Sequence, residues 1–240
     1  MNNSYLITGT TSGLGEQLKL LLISKGNSVI SINRIGTTIK DNNYDFNLDI
    51  TSYNEVFSFL KRLKDQERLP KYFILNAGIN LFDNQKYFSI NNFKKCFDIN
   101  FYGVMNFVGA IEELAVKNKC FIYISSTSNI IPNPAALGYF SSKYLIDKIS
   151  NYFLKENNHK VVILGPVLTN ISRKIGSPKG IAKILFDFLA IDSVKSAEKI
   201  YKFILSNRKK LYFTKKSIIF YWLVKIILIF FPNIYKGGKN

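Results

Sequence analysis

The sequence predicts a single α/β domain built on a doubly wound parallel sheet. Short apolar runs alternate with longer segments in which apolar residues recur at helical spacing. This alternation is typical of parallel strands joined by right-handed helical crossovers. The length of 240 residues suits one such domain, and a hydrophobic content of 47% is enough for a sizeable core. A glycine-rich string follows the first apolar run, where a tight turn would join a strand to a helix.

In the first half of the chain, strands are predicted at short apolar runs, and helices where apolar residues recur every three or four positions. In chain order these elements are a strand at 5–8, a helix at 13–24, a strand at 28–32, an apolar stretch closed by Asp49 and Ile50, a helix with apolar Val56, Phe59, Leu60 and Leu63, and a strand at 72–75.

The second half continues the same alternation. Its predicted elements are a helix at 93–114, a strand at 120–125, a helix at 139–155, a strand at 161–164, a loop and helix to about residue 207, and a last strand at 211–213. The lone histidine, His159, follows two asparagines and is predicted to lie in a polar turn, with no catalytic or metal role.

The chain is basic, and its charge is unevenly distributed. The net charge is +17; residues 1–159 hold 17 Lys/Arg against 13 Asp/Glu, whereas residues 160–240 hold 16 against 3. This asymmetry suggests an anionic partner, such as a membrane surface or a phosphorylated substrate. Compositional drift in a chain rich in Lys, Asn and Ile explains it equally well. No nucleic-acid motif accompanies the charge, so we expect no nucleic-acid partner.

The two cysteines indicate a reduced setting. Cys96 and Cys120 show neither ligand spacing nor a CxxC motif, so no metal site is predicted. No secretory leader is recognisable, and a cytoplasmic location is the expectation.

The glycine-rich string Thr8-Gly9-Thr10-Thr11-Ser12-Gly13-Leu14-Gly15 lies between a predicted strand and a predicted helix. Glycines at such a turn let the backbone approach a pyrophosphate, and a helix N-terminus presents free N–H groups to it. The context of strand, turn and helix favours a dinucleotide site. A plain tight turn is the alternative.

Tyr139 and Lys143 stand four residues apart on a predicted helix and share one face. In such a pair the ammonium can lower the pKa of the phenol from about 10 towards neutrality, which makes the tyrosine a usable acid and base. Four other Tyr–Lys pairs in the chain have the same spacing, so the pair alone decides nothing. This pair differs from them because a serine, Ser126, stands thirteen residues upstream.

Together these motifs resemble the classical short-chain dehydrogenase/reductase family, over roughly residues 4–213. The matching residues occur in the family's order and spacing: Gly9, Gly13 and Gly15; Asn76-Ala77-Gly78 after the fourth strand; Asn100 in the following helix; Ser126; and Tyr139 with Lys143. The resemblance implies a Rossmann-like domain that interconverts a carbonyl and a secondary alcohol by hydride transfer with a nicotinamide cofactor.

The resemblance also implies a role for each residue. Tyr139 would be the general acid/base, Lys143 would lower its pKa and bind the cofactor ribose, Ser126 would stabilise the substrate oxygen, and Asn100 would hold a water that relays protons. The implied cofactor-binding set is Gly9, Ser12, Gly13, Leu14, Gly15, Asn33, Arg34, Asp49, Ile50, Asn76, Ala77, Gly78, Tyr139, Lys143, Val167 and Thr169. Alternatives are a polar-turn role for Ser126, a helix-breaking hydrogen bond at Asn100, and a non-catalytic NADP(H)-binding regulator or scaffold.

The residues after the second strand favour NADP(H) over NAD(H). NAD-preferring enzymes usually have a carboxylate there to bond the ribose 2′-hydroxyl. Here the position is Asn33, followed by Arg34, which can pair with a 2′-phosphate and stack on adenine. A solvated surface charge is the alternative for Arg34. Asp49 and Ile50 match the family's adenine-contacting pair, although Asp49 could instead cap a helix that begins near Ser52.

Two departures from the family pattern affect the walls of the implied substrate cleft. Leu164-Gly165 replaces the usual Pro-Gly after the sixth strand, although Pro166, Val167 and Thr169 match. Asn129 replaces a glycine three residues after Ser126. We expect a substrate lid at about 167–195, and these changes concern the shape of the substrate rather than the chemistry.

A hydrophobic and basic helix is predicted at 215–240, after a domain that spans 1–214. Its apolar run of about sixteen residues contains Lys225 and is short for a membrane span of about twenty. Tyr221 and Trp222 could lie at a lipid headgroup boundary, so peripheral membrane contact through 215–235 is one expectation. Packing against the domain, or against a second copy in a homo-oligomer, is the other.

Overall fold

A computed structural model describes residues 3–34, 39–40, 43–83, 88–127, 136–155, 158–165, 167–168 and 190–213. Within them an eight-stranded sheet has the order β10-β7-β6-β5-β1-β2-β4-β3, and all pairs are parallel except β3 with β4. The strands are β1 (Ser4–Thr8), β2 (Ser28–Asn33), β3 (Ile39–Lys40), β4 (Asn43–Asn47), β5 (Tyr72–Leu75), β6 (Cys120–Ser126), β7 (His159–Leu164), β8 (Val167–Leu168), β9 (Ile191–Asp192) and β10 (Lys210–Tyr212). The predicted α/β fold with a doubly wound parallel sheet is confirmed.

Helices cover both faces of this sheet. They are α1 (Gly13–Ser24), α2 (Tyr53–Asp65), α3 (Ile90–Phe97), a π-helical turn (Asp98–Tyr102), α4 (Gly103–Glu113), α5 (Leu137–Phe153) and α6 (Ser193–Ile204). Strands β8 and β9 form a separate parallel pair.

The side-chain alternation of the strands builds two core layers. On β1, Leu6 faces the layer shared with α2, α4 and α5, whereas Tyr5 and Ile7 face the layer shared with α1 and α6. All three side chains are fully buried. Because buried aliphatic and aromatic side chains each contribute roughly 1.5–3 kcal/mol, these two layers fix the helices on the sheet.

The helix predicted at 93–114 is interrupted in the structure. Ser89 caps α3 by accepting a hydrogen bond from the Asn92 N–H, and the π-helical turn then separates α3 from α4. An apolar period of 3.6 residues does not reveal such a turn, because one extra residue leaves both flanking helices amphipathic.

The prediction that His159 lies in a polar turn was wrong. His159 begins β7, is 4% exposed, and its Nδ1 lies 2.8 Å from the Tyr123 hydroxyl. Its ring stacks on Phe121, Tyr123 and Phe153. The aromatic neighbours come from β6 and α5, so the asparagines beside His159 in the chain gave no signal of its burial.

Among the described residues, no helix is long and apolar enough to cross a membrane. The predicted helix at 215–240 lies outside these residues, as does most of the predicted lid at 167–195. The domain boundary at 214 therefore stays a prediction.

Helices α3 and α5 cross closely at Gly138. A Cβ added there would lie 2.8 Å from the Phe93 Cα and 3.1 Å from the Cys96 Cβ. We predict that Gly138→Ala lowers the free energy of unfolding by about 1–3 kcal/mol, because the rigid α3 backbone must move. Equilibrium urea unfolding measures the effect.

The matched control is Gly109→Ala in α4, where an added Cβ meets Tyr53 at an ordinary 3.7 Å. There the higher helix propensity of alanine, worth up to about 1 kcal/mol, should leave the protein equally or more stable. Equal stability of the Gly138→Ala variant and the wild type would contradict the crossing argument.

Candidate active site

Within the described part of the chain, the glycine turn, Asn76-Ala77-Gly78 and Ser126 lie at the carboxyl edge of the sheet. Strand β1 lies between β2 and β5, so the chain order reverses there, and clefts at such a reversal are where open α/β sheets bind ligands. The glycine turn follows β1, Asn76-Ala77-Gly78 follows β5, and Ser126 ends β6. The sheet thereby brings together motifs that are up to 118 positions apart in the chain.

The glycine turn is packed too tightly for side chains. Gly9 has φ +74°, and a Cβ there would lie 2.9 Å from the Ala77 Cα. A Cβ on Gly15 would lie 2.0 Å from the Gly9 carbonyl oxygen and 2.6 Å from the Asn76 Nδ2. The predicted glycines are therefore required by the fold itself, independently of any ligand.

Thr8 and Asn76 hold this turn against the loop after β5. The Thr8 Oγ1 accepts hydrogen bonds from the backbone N–H groups of Asn76, at 3.0 Å, and Ala77, at 2.9 Å. In return, the Asn76 Nδ2 donates to the carbonyl oxygens of Thr8 and Gly9. The two loops thus form one rigid wall of the site.

The N-terminus of α1 lies next to this wall, because Gly15 in its first turn packs against Asn76. Ser12 occupies the N-cap position in extended conformation, and its hydroxyl makes no capping hydrogen bond. Gly13 has φ +65°, which favours glycine. The Leu14 side chain is buried in the core. With no side-chain cap, the first N–H groups of α1 and the positive end of its dipole suit an anionic group.

Asn100 lies in the π-helical turn and is fully buried. Its Oδ1 accepts a hydrogen bond from the Ile79 N–H at 2.7 Å, and its Nδ2 donates to the Ile79 carbonyl at 2.9 Å. The second Nδ2 hydrogen is donated to the Ser142 Oγ on α5, at 3.0 Å. The Asn100 amide thus ties the loop after β5 to α5.

Lys143 is buried beside Asn100. Its Nζ donates a hydrogen bond to the Ile124 carbonyl at 2.9 Å, while the Ser125 hydroxyl donates to the Lys143 carbonyl at 3.3 Å. A Cβ on Gly78 would lie 3.1 Å from the Asn100 Oδ1 and 3.4 Å from the Lys143 Nζ, so both atoms border the space above Gly78. Burial lowers the pKa of Lys143 from 10.5 to about 8.

Tyr139 and Ser126 belong to α5 and β6, the two elements that enclose this buried lysine. Tyr139 precedes Lys143 by one turn of α5 and is partly exposed, and Ser126 is the partly exposed last residue of β6. The predicted set of Asn100, Ser126, Tyr139 and Lys143 is therefore carried by three neighbouring elements. A tyrosine, a serine and a buried ammonium on adjacent elements could stabilise charge on a bound oxygen and transfer a proton to it.

Asn33 and Arg34 take different positions at the end of β2. The Asn33 side chain is buried, and its Oδ1 accepts a hydrogen bond from the Thr10 N–H at 2.7 Å. Its Nδ2 donates to the Thr10 Oγ1 at 3.0 Å. Asn33 thus supports the glycine turn, whereas Arg34 is exposed to solvent.

Asp49 and Ile50 lie between β4 and α2. The Asp49 Oδ1 accepts hydrogen bonds from the Thr51 N–H and Oγ1, while Ser52 is the N-cap of α2 and accepts from the Glu55 N–H. Ile50 is buried and packs closely against Gly103 of α4: a Cβ added to Gly103 would lie only 2.8 Å from the Ile50 Cδ1. The alternative in which Asp49 caps the helix is therefore wrong.

The remaining predicted residues border the described part of the chain. Val167 is partly exposed in β8, which pairs with β9 just before α6. Thr169, Pro166 and Asn129 lie outside the described residues.

Three hydroxyl residues of the site were missed by the sequence analysis. They are Thr8, Thr10 and Ser142, and each bonds a backbone group or side chain of a predicted site residue. Each stands within or next to a predicted motif, and this position in the chain is the signal from which they could have been predicted. Their partners, however, come from other elements.

Comparisons with known proteins agree with this geometry. Residues 3–180 match the family model described as short chain dehydrogenase. An uncharacterized oxidoreductase of Schizosaccharomyces pombe is 26% identical over 160 residues, which cover 64% of this chain and 55% of the relative. The chain thus spans little more than half of that relative's length. The NADPH-dependent pterin aldehyde reductase of Arabidopsis thaliana is 27% identical, over 70% of this chain and 75% of the relative.

Solved structures support the fold. A short chain dehydrogenase from Burkholderia cenocepacia, solved in complex with NADP, superimposes with a TM-score of 0.76 at 18% identity, covering 97% of this chain and 95% of that chain. The family model covers well over half of the sequence, and the motifs that it spans meet at one edge of the sheet. The chain therefore belongs to the short-chain dehydrogenase family.

Proposed function

We propose that the protein is an NADP(H)-dependent oxidoreductase that interconverts a carbonyl and a secondary alcohol, with Tyr139 as general acid/base. The observation that supports this proposal most directly is the placement of the buried Lys143 ammonium one helical turn from Tyr139. Asn100 and Gly78 border the same space as the Lys143 Nζ. Such an ammonium stabilises a phenolate on a neighbouring tyrosine and so makes proton transfer feasible near neutral pH.

The residues present fit a dinucleotide. The close backbone approach at Gly9 and Gly15 leaves a surface without side chains, and the N-terminus of α1 has no side-chain cap. Gly9, Ser12, Gly13, Leu14 and Gly15 would hold the pyrophosphate, chiefly through backbone N–H groups. Further contacts with the cofactor are proposed for Asp49, Ile50, Asn76, Ala77, Gly78, Lys143, Val167 and Thr169.

A bound nicotinamide supplies or accepts the hydride. During reduction Tyr139 gives its phenolic proton to the carbonyl oxygen, and Ser126 donates a hydrogen bond to the same oxygen as negative charge develops. Lys143 stabilises the resulting phenolate. With a pKa of about 8, Lys143 is mostly protonated at neutral pH, as this role requires.

Asn100 constrains the path by which Tyr139 regains its proton. Both Nδ2 hydrogens are donated within the protein, to Ile79 and Ser142, and Oδ1 accepts one bond from Ile79. A water on this side chain must therefore donate to the second lone pair of Oδ1, on the side that faces Gly78 and Lys143. A relay from solvent through Lys143 to Tyr139 would pass this point.

The preference for NADP(H) is proposed from the end of β2. The buried amide of Asn33 is engaged with Thr10 and carries no charge, so nothing at this position repels a 2′-phosphate. The exposed Arg34 beside it can pair with that phosphate. A relative named as NADPH-dependent and a structure solved with NADP agree with this choice.

The proposed location is cytoplasmic. The proposed partners are a small carbonyl or alcohol substrate, a second copy of the chain and, through 215–235, the surface of an anionic membrane. The basic residues flanking this hydrophobic segment are the support for membrane contact.

Replacing Tyr139 by phenylalanine tests the chemistry. We predict that Tyr139→Phe lowers kcat for carbonyl reduction at least ~100-fold and leaves NADPH binding unchanged, because the proton donor alone is lost. NADPH oxidation against a panel of ketones and ketoacyl compounds measures kcat, and fluorescence titration measures binding.

Tyr144→Phe is the matched control. Tyr144 lies on the same helix, is 44% exposed, and also has a lysine four residues later, Lys148. This variant should keep full activity. A Tyr139→Phe variant that retains wild-type turnover, or a biological effect that survives the change, would favour the non-catalytic regulator instead.

Arg34→Ala tests the cofactor preference. We predict a roughly 10- to 100-fold weaker affinity for NADPH and an unchanged affinity for NADH, because a charged hydrogen bond to the 2′-phosphate is worth about 1.5–3 kcal/mol. Arg68→Ala, at an exposed arginine beyond the C-terminus of α2, is the control. Tighter binding of NADH than of NADPH by the wild type would overturn the preference.

Lys143→Met tests how much the buried ammonium of Lys143 destabilises the folded protein. Burial lowers the pKa of Lys143 from 10.5 to about 8 in the folded protein, so folding at pH 7 is opposed by about 3 kcal/mol. We predict that the cofactor-free variant is more stable than the wild type at pH 7. The loss of the hydrogen bond to Ile124 reduces this gain.

The stability difference between the wild type and Lys143→Met should also change with pH. Between pH 8 and 10.5 the unfolded wild type binds a proton that the folded state has released, so wild-type stability rises with pH in this window. The advantage of Lys143→Met should therefore shrink between pH 7 and pH 10 in urea unfolding. Lys148→Met, at an exposed position of the same helix, should show no such change. A variant less stable than the wild type at pH 7 would refute the prediction.

A further inference from the structure

We propose that Ser142 is a positioning residue that, together with the backbone of Ile79, fixes the orientation of the Asn100 amide towards Lys143. Ser142 is fully buried on α5, between Tyr139 and Lys143. Its role in turnover rests on the proposed function, whereas its effect on Asn100 follows from hydrogen bonding alone.

The Ser142 hydroxyl has a defined polarity. It donates its hydrogen to the Tyr139 carbonyl at 2.8 Å, one turn earlier in α5. A hydroxyl has one hydrogen, so its oxygen can interact with Asn100 only as an acceptor. The group of Asn100 at 3.0 Å from Ser142 must therefore be Nδ2, as in the structure.

This polarity reinforces the orientation of the Asn100 amide that Ile79 requires, because the Ile79 N–H can only donate to Oδ1 and the Ile79 carbonyl can only accept from Nδ2. With Nδ2 held by Ser142, Oδ1 faces the Ile79 N–H and the space above Gly78, which the Lys143 Nζ also borders. The partial negative charge of Oδ1 then favours the ammonium form of Lys143. If the amide turned, its N–H groups would face that ammonium and oppose its charge.

Ser150 offers a matched control on the same helix. It is buried to the same degree, at 1% exposure, and its hydroxyl also donates to the carbonyl three residues earlier, Asp147, at 3.0 Å. Its hydroxyl accepts no side-chain hydrogen bond in the described part of the chain. Ser150→Ala therefore reproduces the loss of a buried helical hydroxyl without touching Asn100.

We expect Ser142→Ala to lower kcat about tenfold with little change in KM, and to shift the pH profile of kcat. Ser142→Cys, whose sulfur is a weak acceptor, should recover part of the loss. Ser150→Ala should keep both kcat and the pH profile. All variants are compared at equal folded fraction, determined by urea unfolding.

A second measurement does not depend on turnover. NMR titration of ¹³C-lysine-labelled full-length protein follows the Lys143 Cε, assigned with Lys143→Met. We expect Ser142→Ala to lower the pKa of Lys143 below the wild-type value and Ser150→Ala to leave it unchanged. If the Lys143 titrations change as expected but the wild-type protein shows no reductase activity, the proposed function is refuted while the effect of Ser142 on Asn100 is supported. Identical titrations and pH profiles for Ser142→Ala and Ser150→Ala would overturn the positioning role.

Discussion

The site depends on the hydrogen bonding of one buried amide, that of Asn100. It uses both N–H groups and its oxygen to hold Ile79, after β5, and Ser142, on α5. An unpaired polar group at such a buried position costs about 1–3 kcal/mol, so the three elements are held in one arrangement. The π-helical turn is the local irregularity that places the amide between them.

Close backbone contacts complete the same frame. The glycine turn meets the loop after β5 at Gly9 and Gly15, and α3 meets α5 at Gly138, one residue before Tyr139. At each of these places a methyl group would collide with a neighbouring main chain. Lys143 is then enclosed by residues of β6 and α5, and its lowered pKa is the electrostatic consequence of this enclosure. The close packing that stabilises the fold thus destabilises the ammonium form of Lys143, which the proposed chemistry uses.

Prediction from sequence succeeded where the signal is local. The order of strands and helices followed from apolar periodicity, and the glycine motif followed from the need for a tight turn after β1. It failed where distant residues decide. His159 has polar neighbours in the chain and yet is enclosed by aromatic rings from β6 and α5. Asn33, the last residue of β2, gives no local signal that its amide is bonded to Thr10, 23 residues away.

The sequence by itself determined the alternation of elements, the family and the identity of the residues proposed for chemistry, because short spacings and steric requirements of glycine are encoded along the chain. The tertiary structure decided which of those residues share a space. The hydrogen bonds that enclose Lys143, orient the Asn100 oxygen and involve Ser142 join residues that lie 19, 21 and 42 positions apart in the chain. Periodicity carries no record of such contacts, since each is created only when β5, β6 and α5 are packed side by side.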